Sequence, residues 1–308
     1  TRYWRDWSSD LCSSDLSTKS YKSNDISGIG LSNLELNEWS FRSQNLTSAK
    51  FENSKLNGAD FTNATLKGTV FVGADVTNTN FSGTVDKGLT RSQLESTTNG
   101  LANIILSNND FTVSGWSFAN SDLTNTKLEN SKLNNLDFSN ATLNGASFTD
   151  ADTTGANFSG TVGKGLTQGQ LESATNKLTN INISDNDFTL DWSFDGADLT
   201  NTKLENSMLT GVGFNNATLV NASLADSSAA NANFASANLN GVSFANADID
   251  SADFTDAVIT NANFTNARIK SVQLTSTKSY IDRNLSGVIF DGNNMRRFVL
   301  SDQNLTGA

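Results

Sequence analysis

The side chains able to do chemistry in this 308-residue chain are mostly carboxylates: 32 Asp and Glu stand against 21 Lys and Arg, with one Cys and no His. Two carboxylates about 5–10 Å apart are what a glycosidase uses, one as acid and the other as base or nucleophile. With no His, and Cys12 the one thiol, the sequence offers no Ser–His or Cys–His pair, no ordinary zinc set and no His for haem. It also holds no P-loop, dinucleotide fingerprint, EF-hand or glycine–aspartate nonapeptide. No catalytic, cofactor-binding or metal-ligating residue is therefore assigned, and no cofactor is expected. The acids themselves recur in one setting. Asp60, Asp75, Asp198, Asp248 and Asp253 each stand just before a large apolar residue, which reads as a solvated face.

Those apolar residues carry the architecture. From Ile26 through Leu31, Leu36, Phe41, Leu46, Phe51, Leu56, Phe61, Leu66, Phe71 and Val76 to Phe81, every fifth residue is large and apolar. Neither a strand nor an α-helix has that period. A second run goes from Phe118 to Phe158, a third from Phe194 to Leu274, and a last one holds Leu285, Phe290, Met295, Leu300 and Leu305. Two residues before most centres stands something small, as at Ala59, Ala64, Ala74, Ala141, Ala237 and Ala262. Phenylalanines sort at twenty: Phe41, Phe61, Phe81; Phe118, Phe138, Phe158; and Phe194, Phe214, Phe234, Phe254. Four five-residue sides to a turn would stack like side chains about 4.8 Å apart. Ala229 and Thr153, each in a centre position, read as weak points of the core.

Units such as Ala59-Asp60-Phe61-Thr62-Asn63 resemble the pentapeptide-repeat family. The resemblance implies an all-β fold, a right-handed, four-sided (quadrilateral) parallel β-helix, with the centre and the small residue two before it pointing inward. A single unit cannot stand alone. Burying one Phe or Leu gains about 1.5–3 kcal/mol, less than the cost of ordering five residues at about 1.5 kcal/mol each. Stacking has to supply the difference.

Two related segments break the runs. Gly88-Leu89-Thr90-Arg91-Ser92-Gln93-Leu94-Glu95-Ser96 recurs as Gly165-Leu166-Thr167-Gln168-Gly169-Gln170-Leu171-Glu172-Ser173, with a degenerate copy at Val272–Ser276. Thr90 with Gln93 and Thr167 with Gln170 have capping-box spacing, so short helical elbows are predicted to interrupt the coil. Trp39, Trp116 and Trp192 each precede a Phe centre by two. An indole does not fit the small inward slot, so each is expected to bulge outward and cover an elbow. The expected division is a non-native leader at 1–16, a first coil module at 17–81, an elbow at 82–105, a second module at 106–158, an elbow at 159–182, a third module at 183–274 and a truncated fourth at 275–308.

Residues 1–16 fall outside the pattern and resemble a translated sequencing adapter, so Cys12 supports no redox inference. The chain opens on Thr and stops at Leu305-Thr306-Gly307-Ala308 in mid-repeat, and both natural termini are expected to lie beyond it. No membrane segment occurs in the sequence present. The open ends of a β-helix are unpaired edges and invite end-to-end self-association.

The net charge is −11, which disfavours direct binding to nucleic acid or anionic membranes. The leading expectation is a non-enzymatic scaffold, a rigid acidic repeat rod contacting a protein partner of unknown identity. Some pentapeptide-repeat proteins mimic duplex DNA and bind type II topoisomerases, so the resemblance also implies a second reading, an inhibitor or protector of gyrase. A third is a carbohydrate-active β-helix enzyme.

Overall fold

The computed structural model describes residues 23–113 and 115–308; the leader at 1–16 and the start of the first module lie outside them. Throughout, one local device repeats. Along the regular rungs the residue before a centre forms an isolated parallel bridge to the residue twenty positions on, as in Asp60↔Asn80 and Gly213↔Asn233. The centre's own N–H joins the same ladder, Phe61 donating to the Asn80 carbonyl at 2.8 Å. Its carbonyl then accepts from the residue three later (Ala64 N–H to Phe61 C=O, 2.8 Å), which closes a turn. The third residue of that turn has positive φ, 59° at Asn63 and 68° at Gly73. Asn, Asp and Gly tolerate this conformation best, which is why they recur two residues after the centres. Four such units separate bridged residues, and the chain is a repeat β-helix.

By compactness the chain divides into two units. The first comprises the described residues up to Trp116 with Asp122–Lys132 and Gly145–Ala151; the second comprises Ser117–Ser121, Leu133–Asn144 and Asp152–Ala308. In the first, Phe41, Phe61 and Phe81 stack with centroids 4.9 and 5.3 Å apart, and Phe51 and Phe71 meet them edge-on. In the second, Phe118, Phe138 and Phe158 form one stack at 5.1 and 4.8 Å. Phe194, Phe214, Phe234 and Phe254 form another at 5.1, 4.8 and 5.2 Å. All ten of these twenty-spaced phenylalanines are buried, and the alanines two before the centres fill the remaining space. At several places where Ser or Thr replaces that alanine, its hydroxyl caps a carbonyl of the adjoining rung, as Thr79 does on Leu56 (2.7 Å) and Thr69 on Leu46 (2.8 Å). A buried hydroxyl needs such a partner.

Three expectations need correction. The helices do not interrupt the coil. Asn80 bridges Ile105, Asn157 bridges Asn182 and Asn263 bridges Ile289, so the ladder passes each helix through a rung swollen by five or six residues. Within those rungs lie α1 (Arg91–Glu95), α2 (Gln168–Glu172), α3 (Ser271–Thr275) and α4 (Lys278–Ile281). Leu94, Leu171 and Leu274 point inward from the first three and stay in the core. Thr153 is not an empty slot either: its N–H and hydroxyl both donate to Asn176 Oδ1, at 3.0 and 2.7 Å. Ala229 is buried as a centre. The last run is only partly inside. Leu285 is buried, Phe290, Met295 and Leu300 are half-buried and Leu305 is exposed.

A 3-10 turn, Val85–Lys87, leads into α1 and ends at Gly88 with φ 95°. A Cβ at Gly88 would lie 2.8 Å from Lys67 Cα. Gly88→Ala is expected to cost about 2 kcal/mol from backbone strain alone; a chemical-denaturation midpoint equal to wild type would refute this account of the turn.

Candidate interaction surface

The outward carboxylates are built into the turns. Asp60 Oδ1 accepts from Thr62 N–H (2.9 Å) and from its hydroxyl (2.5 Å). The same pair forms between Asp75 and Thr77, Asp198 and Thr200, and Asp253 and Thr255. Asp248 accepts from Asp250 N–H at 3.1 Å. Each carboxylate thus does the local work of an Asx turn.

Along the coil the acids are kept apart. Among the described residues no parallel bridge pairs one acid with another. Glu35, Lys55 and Asp75 alternate in one ladder, and Asp110 pairs with Lys132. The Lys55–Glu35 and Lys132–Asp110 ion pairs measure 2.5 and 2.9 Å. Elsewhere amides intervene, with Asn45 donating to Asp25 and Asn157 to Asp137, both at 3.1 Å. Stacked like charges about 4.8 Å apart would repel, and this arrangement avoids them.

A concavity of about 760 Å³ lies in the second unit beside α2 and is lined by Glu172, Lys177, Asp195 and Asp198 among others. Its acids also hold structure. Glu172 accepts from Gln168 (2.7 Å), Asp195 from Asn215 N–H (2.7 Å) and Asp198 from Thr200. No group of three or more His, Cys, Asp or Glu among the described residues is placed to hold a metal. No helix among them is long and apolar enough to cross a membrane.

The three tryptophans are half-buried. Trp116 stands edge-on to Phe111 and Trp192 to Phe188, both at 4.9 Å, and Trp39 lies tilted against Phe41 at 6.1 Å.

Sequence reasoning missed the side-chain amides that secure the swollen rungs. Both predicted capping boxes form, but the capping glutamine also grips the neighbouring rung. Gln93 Nε2 donates to the Leu66 and Thr69 carbonyls (2.9 and 2.7 Å), and Gln273 does the same to Ile249 and Ala252 (2.9 and 3.0 Å). Asn109, Asn186 and Asn293 then take the small inward slot just beyond. Asn109 and Asn186 are buried and donate to two carbonyls each, of Phe81 and Leu106 and of Phe158 and Ile183. The one signal available was an Asn where the register calls for Ala.

Comparison with known proteins agrees with this construction. A family model described as pentapeptide repeats (8 copies) matches residues 45–83 and 121–160, and one described as a pentapeptide repeat region matches 197–274. The chain belongs to the pentapeptide-repeat family. Solved structures similar to this pentapeptide-repeat protein include one from the Arabidopsis thaliana thylakoid lumen, at 25% identity over 31% of this chain and 70% of that one, TM-score 0.25. HetL, involved in heterocyst differentiation regulation in Nostoc sp. strain PCC 7120, aligns at 21% identity over 79% and 93% of the two chains, TM-score 0.20. QnrB1, a plasmid-mediated fluoroquinolone resistance protein, aligns at 17% over 89% and 88%, TM-score 0.25. No curated protein matches the sequence.

One surface pair gives this pentapeptide-repeat protein a pH signature. The Thr112 hydroxyl and the Lys132 ammonium hold the Asp110 carboxyl at about 2, below the ordinary carboxylate value of about 4. A depressed folded-state value means that the contribution is complete above the unfolded value and is lost as pH falls through the folded one. Thermal stability of the wild type should therefore decline between about pH 4 and 2, and Asp110→Asn should flatten part of that decline. Identical profiles for the two proteins would exclude the pair as a contributor.

Proposed function

We propose that this chain is a non-enzymatic scaffold that holds protein partners on the outer ladders of a right-handed, four-sided coil. The twenty-residue spacing of its bridges supports four sides. Family membership and the repeat β-helix support a role in presenting surface. The observation that carries the reading is the segregation of the acids: among the described residues no bridged pair is acid on acid, and each bridged acid faces Lys, Asn, Ser, Thr or Met instead. A mimic of duplex DNA would instead need an unbroken negative stripe, since a basic groove for DNA is matched to closely spaced phosphates. Short, turn-bonded Asp, Asn, Ser and Thr give a firm polar face whose side chains lose little freedom on contact, which favours association.

Two assays on the same preparation test the proposal. The chain should retain a defined partner in a crosslinking pulldown and should leave gyrase supercoiling unaffected at any salt concentration. Salt-sensitive inhibition of supercoiling would overturn the scaffold in favour of a DNA mimic, and turnover of a defined glycan would overturn it in favour of an enzyme.

A further inference from the structure

The step from Phe188 to Phe194 is six residues rather than five, and the extra length puts apolar side chains into water. Leu190 is 74% exposed. Trp192 lies edge-on to Phe188 at 4.9 Å and tilted against Phe194 at 5.7 Å, and is half-buried. Met208, 52% exposed, is the ladder partner of Asp187, and its carbonyl accepts from Phe188 N–H at 3.0 Å. Leaving an aliphatic of this size in water forgoes about 1.5–3 kcal/mol of burial.

The loop that follows Phe111 is built differently. There the step from Phe111 to Phe118 is seven residues, Val113 is the exposed aliphatic, and Trp116 is edge-on to Phe111. The residue before that Phe, Asp110, is bridged and ion-paired to Lys132. At the matching place in the second unit Met208 replaces the lysine, so the face gains apolar area and loses its countercharge.

Charge around the second loop is one-sided. Residues 178–202 hold Asp185, Asp187, Asp191, Asp195 and Asp198 and no Lys or Arg. The hollow lined by Glu172, Asp195 and Asp198 is joined to the loop through one side chain. Gln168 Oε1 accepts from Ser193 N–H (3.1 Å), while its Nε2 donates to Glu172 (2.7 Å). An apolar ledge therefore meets an acidic concavity that holds Lys177 as its one cationic lining residue. Resting on the scaffold reading above, we propose that this face docks a cationic amphipathic segment of a partner protein. The segment seats an aliphatic side chain on Leu190, Trp192 and Met208 and an arginine or lysine in the hollow. Apolar contact supplies affinity and the carboxylates supply selection for positive charge.

The test uses the full chain and a fluorescein-labelled helical peptide built of leucine and arginine, read by anisotropy. Leu190→Ser and Asp195→Asn should each weaken binding by about tenfold with unchanged melting temperature. Val299→Ser and Asp226→Asn should not weaken it. Peptides with glutamate for arginine, or serine for leucine, should bind far less. Equal binding to all variants would reduce the interaction to diffuse charge and overturn the proposal, as would no binding. A partner retained by the whole chain and equally by Leu190→Ser would also overturn this face, while leaving the scaffold reading intact.

Discussion

Replacing Asn109 by alanine is expected to destabilise the first unit by about 3 kcal/mol or more. The side chain is buried and makes four bonds to main chain. Its Oδ1 accepts from Thr84 N–H at 2.8 Å and Val85 N–H at 2.9 Å, and its Nδ2 donates to the Phe81 and Leu106 carbonyls at 3.1 and 2.9 Å. Thr84 and Val85 are where the swollen rung leaves the regular path into the 3-10 turn, so their N–H groups have left the ladder. Alanine, the usual occupant of this slot, fits it sterically but orphans the Thr84 and Val85 N–H groups, while the Phe81 and Leu106 carbonyls keep the Thr84 and Ser131 hydroxyls (2.6 and 3.2 Å). Each costs about 1–3 kcal/mol unless water reaches it. Urea unfolding would measure the loss, and hydrogen exchange should accelerate first at Thr84 and Val85. A variant within about 1 kcal/mol of wild type would show that the amide is not what holds the rung.

The second large effect is expected at Phe61. Its ring stacks between Phe41 and Phe81 and is met edge-on by Phe51 and Phe71, all four centroids within 5.6 Å. Phe61→Ala should cost about 3–5 kcal/mol through lost burial and an unfilled cavity, with part of the aromatic pairing lost as well. In a stacked array stability is close to a sum over neighbouring rungs, so the damage stays local. The expected signature is a two-step melt in place of a single transition, together with a lower midpoint. A single transition shifted by less than about 1 kcal/mol would contradict the packing described for this stack.

Both sites show what a local pattern conveys. The five-residue register is visible in the sequence because every unit closes its own turn, so Phe61 and its companions could be placed inside without knowledge of distant contacts. The capping boxes at Thr90 and Thr167 were visible for the same reason: donor and acceptor lie three residues apart. Asn109 was not, because its partners sit 3 to 28 residues away and a buried Asn looks like any other in an Asn-rich chain. Thr153 misled in the same way. A polar residue in a centre position reads as a defect until Asn176 is seen to reach it. The continuation of the coil past each helix was hidden because pairing across twenty-five residues leaves no mark in a pattern of five. The surface was the least legible part. The spacing of acids by uncharged or basic residues exists only between rungs, and the placing of Met208 beside Asp187 depends on a ladder partner that no local spacing specifies.

The turn geometry bears on how the protein ages. At Asn-Gly steps such as Asn57-Gly58 and Asn240-Gly241, cyclisation to a succinimide requires the glycine nitrogen to attack the preceding side-chain carbonyl and expel ammonia. Here Gly58 N–H is committed to the Thr77 carbonyl at 2.9 Å and Gly241 N–H to that of Thr260 at 3.0 Å. Ring closure must wait until a rung transiently parts from its neighbour. Slow deamidation at these two asparagines is then a clock for how often the coil breathes.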